Sequence, residues 1–180
     1  MTVPIIKPQE IDKEEFLEKI MVEHGNDVLY LAYSYVKDRS IAEDLAQEVF
    51  LSAYTHLDGF NWQSSIKTWL YRITVNRCKD YLKSWNYRST ILSNVIDIAV
   101  GSREKDTEVL VIKKDEQAKL AELIFKLPLK YREVIYLFYF EEMSLNDMTL
   151  LLNQNVNTLK SRLKRAKEML KKEITKGGLE

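Results

Sequence analysis

Apolar residues recur at helical spacing along most of the chain, and no useful length of it alternates like a strand. Ser40 with Glu43 three residues later makes a capping box, which marks a helix start. Residues 58–61 break the periodicity before a longer segment. The N-terminal half is therefore predicted to form four helices, covering about Gln9–His24, Asp27–Val36, Ser40–His56 and Ser65–Trp85.

A second helical region follows after a stretch of weak periodicity that begins beyond Arg88. It starts with apolar spacing at residues 120–127, and Pro128 can open the next helix at its first position. Ser144 and Asp147 form another capping box, opening a short helix through Leu152. A turn at residues 153–155 then leads into a last helix from about Val156 to Lys172. The pattern predicts an all-α protein of two helical domains, residues 1–88 and 116–180, joined by a flexible linker, residues 89–115.

The last helix combines an apolar stripe with a basic remainder. The stripe recurs at intervals of three and four and consists of Val156, Leu159, Leu163, Ala166 and Leu170. Residues 156–172 contain seven basic residues and one acid, Glu168. Helix, three-residue turn, helix is the outline of a helix-turn-helix, whose second helix enters the major groove. DNA contact is the favoured interpretation, and a merely solvated amphipathic helix is the alternative.

The long helix before the linker has a narrow polar face. At 100° per residue this face comprises Trp69, Arg72, Asn76, Lys79 and Lys83, opposite an expected core of Leu70, Ile73, Cys78, Tyr81 and Trp85. Cations with an aromatic ring suit a nucleic-acid backbone and an unstacked base. The preceding loop, residues 60–65, mixes aromatic and small polar side chains, which predicts a pocket for a base turned out of its stack. Alternatively, Trp62 and Trp69 both belong to the core and the cations only form a solvated face.

The third predicted helix has an acidic-polar face with one apolar contact. That face carries Asp44, Gln47, Glu48 and Leu51, opposite an expected buried set of Leu45, Val49 and Ala53. Such a face suits docking to a basic protein surface. Composition alone favours an ordinary solvated face.

Charge and composition narrow the function classes. Lys plus Arg equals Asp plus Glu at 27 each, so nucleic-acid binding must come from the distribution of charge. The single Cys78 excludes an internal disulfide, and no signal peptide or membrane span is evident, which predicts a cytoplasmic protein. His24 and His56 lack metal-ligand company, and no phosphate-binding glycine loop is present. We expect no catalysis, metal, cofactor or small-molecule substrate.

Taken together, these segments resemble the extracytoplasmic-function (ECF) group of sigma-70 family sigma factors. AEDLAQEVFLSAY (42–54) resembles the region that docks on the clamp helices of the largest polymerase subunit. FNWQSSIKTWLYRITVNRCKDYL (60–82) resembles the regions that open the strands and read the −10 element. LPLKYREVIYLFYFEEMSLNDMTLLLNQNVNTLKSRLKRAKEML (127–170) resembles the domain that reads the −35 element. The resemblance covers nearly the whole chain outside the linker.

The resemblance implies roles for particular residues. Polymerase contact would fall to Asp44, Gln47, Glu48 and Leu51. Contact with the −10 element would fall to Asn61, Trp62, Gln63, Ser64, Ser65, Trp69, Arg72, Asn76, Lys79 and Lys83. Contact with the −35 element would fall to Asn157, Thr158, Lys160, Ser161, Lys164 and Arg165. The linker acids Asp97, Glu104, Asp106 and Glu108 would lie toward the RNA exit path.

The resemblance also implies partners and a mechanism. The partners would be core RNA polymerase, through its clamp helices and flap, promoter DNA, and an anti-sigma factor, often membrane-anchored; members commonly serve stress responses. We expect two separately mobile domains, whose weak DNA contacts the polymerase combines into one bivalent contact. The rival functions are a free-standing helix-turn-helix regulator, which would not co-purify with polymerase, and a purely protein-binding adaptor without DNA affinity.

Three departures from the family pattern stand out. Asn61-Trp62 replaces the Arg-Gly that often follows the phenylalanine of the strand-opening loop. Asp147-Met148-Thr149 replaces Glu-Ile-Ala, and Gln154 and Asn157 replace an apolar residue and a glycine. The first change leaves open which base is flipped. We expect the others either to loosen the helix-turn-helix or to retune its choice of promoter, without removing it.

Overall fold

The structure of the protein, a computed structural model, describes residues 12–84, 88 and 115–176. Within those ranges the chain forms seven α-helices, one 3-10 turn at Leu57–Gly59 and no strand. The first domain contains α1 (Lys13–Val36), α2 (Arg39–His56) and α3 (Ile66–Lys83). The second domain contains α4 (Asp115–Lys126), α5 (Leu129–Tyr139), α6 (Leu145–Leu152) and α7 (Val156–Lys176). The all-α prediction is confirmed; the predicted linker lies almost entirely outside the described residues.

The first two predicted helices are one continuous helix, α1, so the predicted break near residues 25–26 is wrong. Gly25 lies inside the helix, where glycine costs only about 1 kcal/mol relative to alanine. Phe16, Ile20 and Val28 are buried on one face on both sides of that glycine. Packing of this shared face outweighs the local helix-breaking tendency.

The start of α2 also differs from the prediction. Asp38, not Ser40, caps the helix, because its carboxylate accepts the backbone N–H of Ile41 at 3.0 Å. Glu43, the expected partner in a capping box, pairs instead with Arg39 at 2.9 Å. The predicted end at His56 is confirmed.

The second domain follows the predicted helix starts and stops closely. Ser144 and Asp147 form the predicted capping box at the start of α6. Asn153 ends α6 in the left-handed conformation with φ 51°, which asparagine tolerates better than most residues. Pro128 precedes α5 as its cap instead of occupying its first position, and α7 runs one turn beyond the predicted end.

Two hydrophobic clusters hold these helices together. One lies within the first domain, between α1, α2 and the start of α3, and includes Phe16, Val49 and Leu70. The other continues from the first domain into the second, with Leu31 and Val75 in the same cluster as Leu137 and Leu159. The two domains therefore share a core, whereas we expected separately mobile ones.

Candidate nucleic-acid interface

The helix-turn-helix of the second domain presents α7 with its predicted faces. Leu159, Leu163 and Ala166 of the stripe are buried, whereas Val156 and Leu170 are half-buried at its edges. Asn155 caps the helix through its side-chain oxygen, which accepts the Thr158 N–H at 2.8 Å. The cap and the stripe fix the orientation of the helix and turn its remaining faces outward.

The side chains predicted to read the −35 element lie on those outward faces. Thr158 is half-buried beside the cap, and the other five are exposed: Asn157, Lys160, Ser161, Lys164 and Arg165. Arg165 also pairs with Glu168, one turn on, at 3.2 Å. The structure thus brings all six predicted residues to one helix and leaves five of them open to solvent.

The departures from the family pattern do not loosen this helix-turn-helix. Asp147 completes the capping box, Met148 is fully buried, and the Thr149 hydroxyl donates to the Asn146 carbonyl at 2.7 Å. Gln154 accepts a hydrogen bond from Arg162 of α7 at 3.3 Å. Polar contacts therefore hold the turn in place of the apolar residue that is usual there.

Sequence reasoning missed Arg162, which points away from the exposed face of α7. Its guanidinium donates to the Glu133 carboxylate of α5 at 3.1 Å as well as to Gln154. A signal was available, because Arg162 lies three residues after Leu159 and four before Ala166, which places it at the border of the apolar stripe. Arg162 therefore links α7 to α5 and to the turn and stabilises the domain.

The polar face of α3 is present but is not uniformly open. Arg72, Asn76 and Lys83 are exposed. Lys79, in the same row, is half-buried and lies 3.3 Å from the Glu133 carboxylate of the second domain. Opposite the row, Leu70 and Cys78 are buried as predicted, Ile73 and Tyr81 are half-buried, and Trp85 lies outside the described residues.

The loop before α3 is built on an aromatic cluster. The Phe60 ring lies 4.8 Å from both the Trp62 and the Trp69 rings, and Trp62 also meets Phe16 edge-on at 6.0 Å. Both tryptophans are half-buried, so the alternative that placed them in the core is partly correct. The polar side chains Asn61, Gln63 and Ser65 lie exposed above this cluster, and Ser64 is half-buried.

Trp62 adopts a left-handed backbone conformation, with φ 58°. This is the position where the family often has glycine, the residue that adopts positive φ without steric cost. For a side chain with a Cβ the conformation costs roughly 1–2 kcal/mol. The ring contacts with Phe16 and Phe60 offset that cost, so the loop keeps the glycine-type turn with a tryptophan in it.

Ser65 begins α3 by a side-chain cap. Its hydroxyl oxygen accepts the Thr68 N–H at 3.1 Å and lies 2.9 Å from the Thr68 hydroxyl. Capping the helix uses the Ser65 side chain locally, so its predicted contact with DNA would have to compete with the cap.

The predicted polymerase-docking face of α2 is exposed along its whole length. Asp44, Gln47, Glu48 and Leu51 all lie on the surface, with Leu51 67% exposed, opposite the buried Leu45, Val49 and Ala53. A single exposed leucine is normal on a protein surface, so the docking role of this face stays a prediction.

This face continues onto α1, which sequence reasoning missed. Met21 is 46% exposed, and Val22 is 83% exposed. Both line an open groove between α1 and α2 with Leu51 and Tyr54, and the carboxylates of Glu14 and Glu18 lie at its side. The signal in the sequence was the width of the apolar sector of α1, which is larger than one buried stripe requires.

Burial shifts the titration of the groups beneath the α3 face. Burial raises the pKa of the Cys78 thiol to about 12, which keeps it protonated and unreactive. Burial also raises the pKa of Tyr71, and its hydrogen bond to Glu141 of the second domain raises it further. Burial lowers the pKa of Lys67, but hydrogen bonds to Glu141 and Asp27 outweigh that effect and raise it overall.

The described residues contain neither a cluster of potential metal ligands nor a helix that could span a membrane. Across these residues, histidine, cysteine and carboxylate side chains nowhere gather in threes as a metal site requires. None of the described helices combines the length and apolar character needed to cross a bilayer.

These features define a two-domain helical protein with a helix-turn-helix and a second basic helix. The family models for Sigma-70 region 2 and for Sigma-70, region 4 match residues 20–87 and 117–170. The chain is 32% identical to the ECF RNA polymerase sigma factor SigW of Bacillus subtilis over 170 residues, covering 91% of this chain and 90% of SigW. It is 30% identical to the RNA polymerase sigma-H factor of Pseudomonas aeruginosa, covering 91% of this chain and 88% of that protein.

Two solved structures share the fold. The sigma factor RpoE of Bartonella quintana, solved with the anti-sigma factor NepR, superposes with a TM-score of 0.69 at 22% identity, over 90% of this chain and 98% of RpoE. CnrH, solved with the cytosolic domain of CnrY, superposes with a TM-score of 0.64 at 23% identity, over 90% of this chain and 89% of CnrH.

The chain belongs to the ECF group of the sigma-70 family. It is an RNA polymerase sigma factor, a transcription initiation factor that directs core polymerase to promoters. The sequence-based prediction of this function is confirmed, and no comparison favours a free-standing regulator.

Proposed function

We propose that this sigma factor divides its work among three surfaces, the α7 face, the α3 row with its loop, and the α1–α2 groove. The observation that carries the proposal is that the three surfaces differ in charge and polarity. Two faces are basic and lie on capped helices, whereas the third is acidic and apolar. Basic faces attract phosphates, and an acidic-apolar groove suits a basic amphipathic helix of a protein.

The α7 face would read the −35 element. Residues near the N-terminal end of a recognition helix reach base edges, which assigns base contact to Asn157, Lys160 and Ser161. Lys164 and Arg165, farther along, are better placed for phosphates. The Asn155 cap supports this assignment, because it fixes the helix end that must enter the groove.

The α3 row and the loop before it would engage the −10 element. Arg72, Asn76, Lys79 and Lys83 would follow the backbone of the DNA, since their spacing keeps them on one side of the helix. The exposed loop groups would contact a base turned out of its stack, with the aromatic cluster as a floor for stacking. Trapping such a base offsets the few kcal/mol that unstacking costs.

The α1–α2 groove would dock on the clamp helices of core polymerase, with the flap as a second contact for the other domain. Leu51 would supply the apolar contact, and Asp44 and Glu48 would pair with basic side chains of the partner. Met21 and Val22 would extend the contact onto α1.

Further assignments follow from the family. The protein would act without catalysis, cofactor or small-molecule substrate, and in the cytoplasm. An anti-sigma factor, membrane-anchored in many relatives, would hold it inactive. The solved neighbours support a partner of this kind, since RpoE was solved with NepR and CnrH with CnrY.

The docking assignment is tested by binding of the purified chain to core RNA polymerase. Leu51→Glu and Glu48→Lys should each weaken binding by about tenfold or more, the loss expected when a central interface contact worth over 1 kcal/mol is removed. Glu23→Lys, an exposed acid of α1 outside the groove, is the matched control and should bind normally. Equal binding by all four proteins would overturn the assignment.

A further inference from the structure

Two carboxylates of the second domain reach into the first. Glu133 of α5 is only 4% exposed; it accepts the Tyr35 hydroxyl at 2.9 Å and lies 3.3 Å from the Lys79 ammonium. Glu141, just after α5, lies 3.0 Å from the Lys67 ammonium and accepts the Tyr71 hydroxyl. We call Glu133 and Glu141 the carboxylate latch. Lys67, Tyr71 and Lys79 all belong to α3, so the latch contacts the helix that we assign to the −10 element.

A buried arginine adds directed hydrogen bonds beside the latch. Arg132 donates to the backbone carbonyls of Ser34 and Tyr35, at 2.6 and 3.1 Å, at the C-terminal end of α1. The same guanidinium donates to the carbonyls of Phe125 and Leu127, at 3.2 and 3.0 Å, at the end of α4. Carbonyls at helix ends lack partners within the helix, so one side chain satisfies such groups from both domains. These bonds fix the orientation in which the domains meet.

The latch also connects the two DNA-reading helices. Glu133 pairs with Lys79 of α3 at 3.3 Å and with Arg162 of α7 at 3.1 Å. One carboxylate therefore holds both helices within side-chain reach of each other. The −10 and −35 elements, in contrast, lie roughly 80 Å apart along B-form DNA at about 3.4 Å per base pair. In this arrangement the two faces cannot meet both elements at once.

The latch weakens even single contacts of α3 with DNA. Lys79 would have to exchange the Glu133 carboxylate for a phosphate. Glu141 adds a negative charge at the first turn of α3, which repels phosphates nearby. The exposed members of the row, Arg72 and Lys83, remain available, so the effect is a reduction of affinity and not its loss.

We propose that the chain has a closed, self-inhibited state, in which Glu133 and Glu141 hold the second domain against α3 and lower the DNA affinity of the free protein. Binding to polymerase would open it, because the promoter spacing requires the domains to separate. The inference rests on the proposed assignment of α3 to the −10 element.

The Lys67–Glu141 pair allows a charge-swap test that leaves every assigned DNA contact intact. Glu141→Lys should open the closed state by placing two lysines together. Lys67→Glu combined with Glu141→Lys should restore it only in part, because the new carboxylate at position 67 would also face Asp27, which lies 3.3 Å from the Lys67 ammonium. Glu142→Lys is the matched control, because this neighbouring residue is exposed and carries the same charge change. Circular dichroism would establish that all variants retain the helical content of the unmodified protein.

The first readout is the affinity of the free protein for a mixed-sequence, 12-nucleotide single-stranded DNA, measured by fluorescence anisotropy. Glu141→Lys should bind several-fold more tightly than Glu142→Lys, and the double variant should return toward the unmodified protein. Equal gains by the two single variants would mean that only net charge matters, and would overturn the proposal.

The second readout is the distance between the domains, measured by energy transfer between dyes at Lys19→Cys and Lys171→Cys in a Cys78→Ala background. Energy transfer should be lower in Glu141→Lys than in Glu142→Lys. In the protein that keeps both Glu133 and Glu141, energy transfer should fall when core polymerase is added. Unchanged transfer in Glu141→Lys would reject the latch. If all variants direct transcription normally with polymerase while neither readout changes, the closed state is wrong and the proposed function stands. If neither the unmodified protein nor any variant binds polymerase or directs transcription with it, the proposed function itself is wrong.

Discussion

The two helices proposed to read DNA, α3 and α7, begin in the same way but differ in how accessible their basic side chains are. Ser65 caps α3 and Asn155 caps α7, and a left-handed residue precedes each cap, Trp62 in one case and Asn153 in the other. The basic residues of α7 that face outward are exposed, whereas Lys79 of α3 is paired with a carboxylate of the other domain. A cap and an apolar stripe fix which face of a helix points outward. Contacts with the neighbouring domain then determine how many of the basic side chains on that face are accessible.

The largest expected effect is on the exposed helix. Lys160→Ala with Arg165→Ala should reduce transcription from a −35-dependent promoter by about tenfold or more, since each lost contact costs roughly 1–3 kcal/mol. Run-off transcription with core polymerase measures this. Lys19→Ala with Lys126→Ala, two exposed lysines outside α7, is the control with the same charge loss. Equal transcript yields from the two double variants would contradict the assigned recognition helix.

A smaller effect is expected from α3, and its basic residues should differ in their contributions to DNA binding. Arg72→Ala with Lys83→Ala should lower the salt dependence of single-stranded DNA binding by about 1.4, at roughly 0.7 per phosphate contact. Lys79→Ala should change this slope less in the free protein, because Lys79 is already paired with Glu133. A slope titration from low to moderate salt tests both. If Lys79→Ala lowered the slope by the full amount of about 0.7 expected for one free phosphate contact, pairing with Glu133 would not limit Lys79.

The left-handed residues before the two helices should differ in how much glycine changes the stability of the protein. Asn153→Gly should change the free energy of unfolding by only a few tenths of a kcal/mol, because both residues tolerate positive φ. Trp62→Gly should destabilise by about 1 kcal/mol, since loss of the ring contacts with Phe16 and Phe60 outweighs the relieved backbone strain. Urea unfolding measures both changes. A Trp62→Gly protein more stable than the original would show that strain dominates in the loop.

A further difference between the two helices concerns pH, because α3 buries an ionisable thiol at Cys78 whereas the buried stripe of α7 is aliphatic. Burial raises the pKa of Cys78 to about 12, above its value of about 8.5 in an unfolded chain. Stability from this group is therefore complete below pH 8.5 and is lost as the pH rises, by at most about 1.4 kcal/mol per pH unit. Between pH 8.5 and 10, unfolding midpoints should fall for the unmodified protein more than for Cys78→Ala. Parallel curves would show that the thiol ionises freely.

Local signals in the sequence predicted most of the second domain. The capping box at Ser144 and the left-handed turn at Asn153 depend on a few adjacent residues, so they could be recognised without knowledge of packing. The exposed face of α2 was predictable for the same reason, since helical periodicity alone assigns its residues to one side.

Tertiary contacts account for what the sequence could not show. Gly25 is an apparent helix end, but a buried face continuous on both sides keeps α1 intact. Lys79 and Arg162 have the periodicity of exposed cations, and only the position of Glu133 from a different helix reveals their pairing. The burial of Glu133 between two domains depends on their relative placement, which periodicity along a chain does not encode.

Start-site selection by the purified protein tests the central claim most directly. Core RNA polymerase, with and without this chain, would transcribe a library of genomic fragments, and transcript 5′ ends would be mapped by sequencing. We predict that the chain produces defined start sites absent with core enzyme alone, each preceded by a shared −10 and −35 pair at constant spacing. Identical start sites with and without the chain would contradict the account.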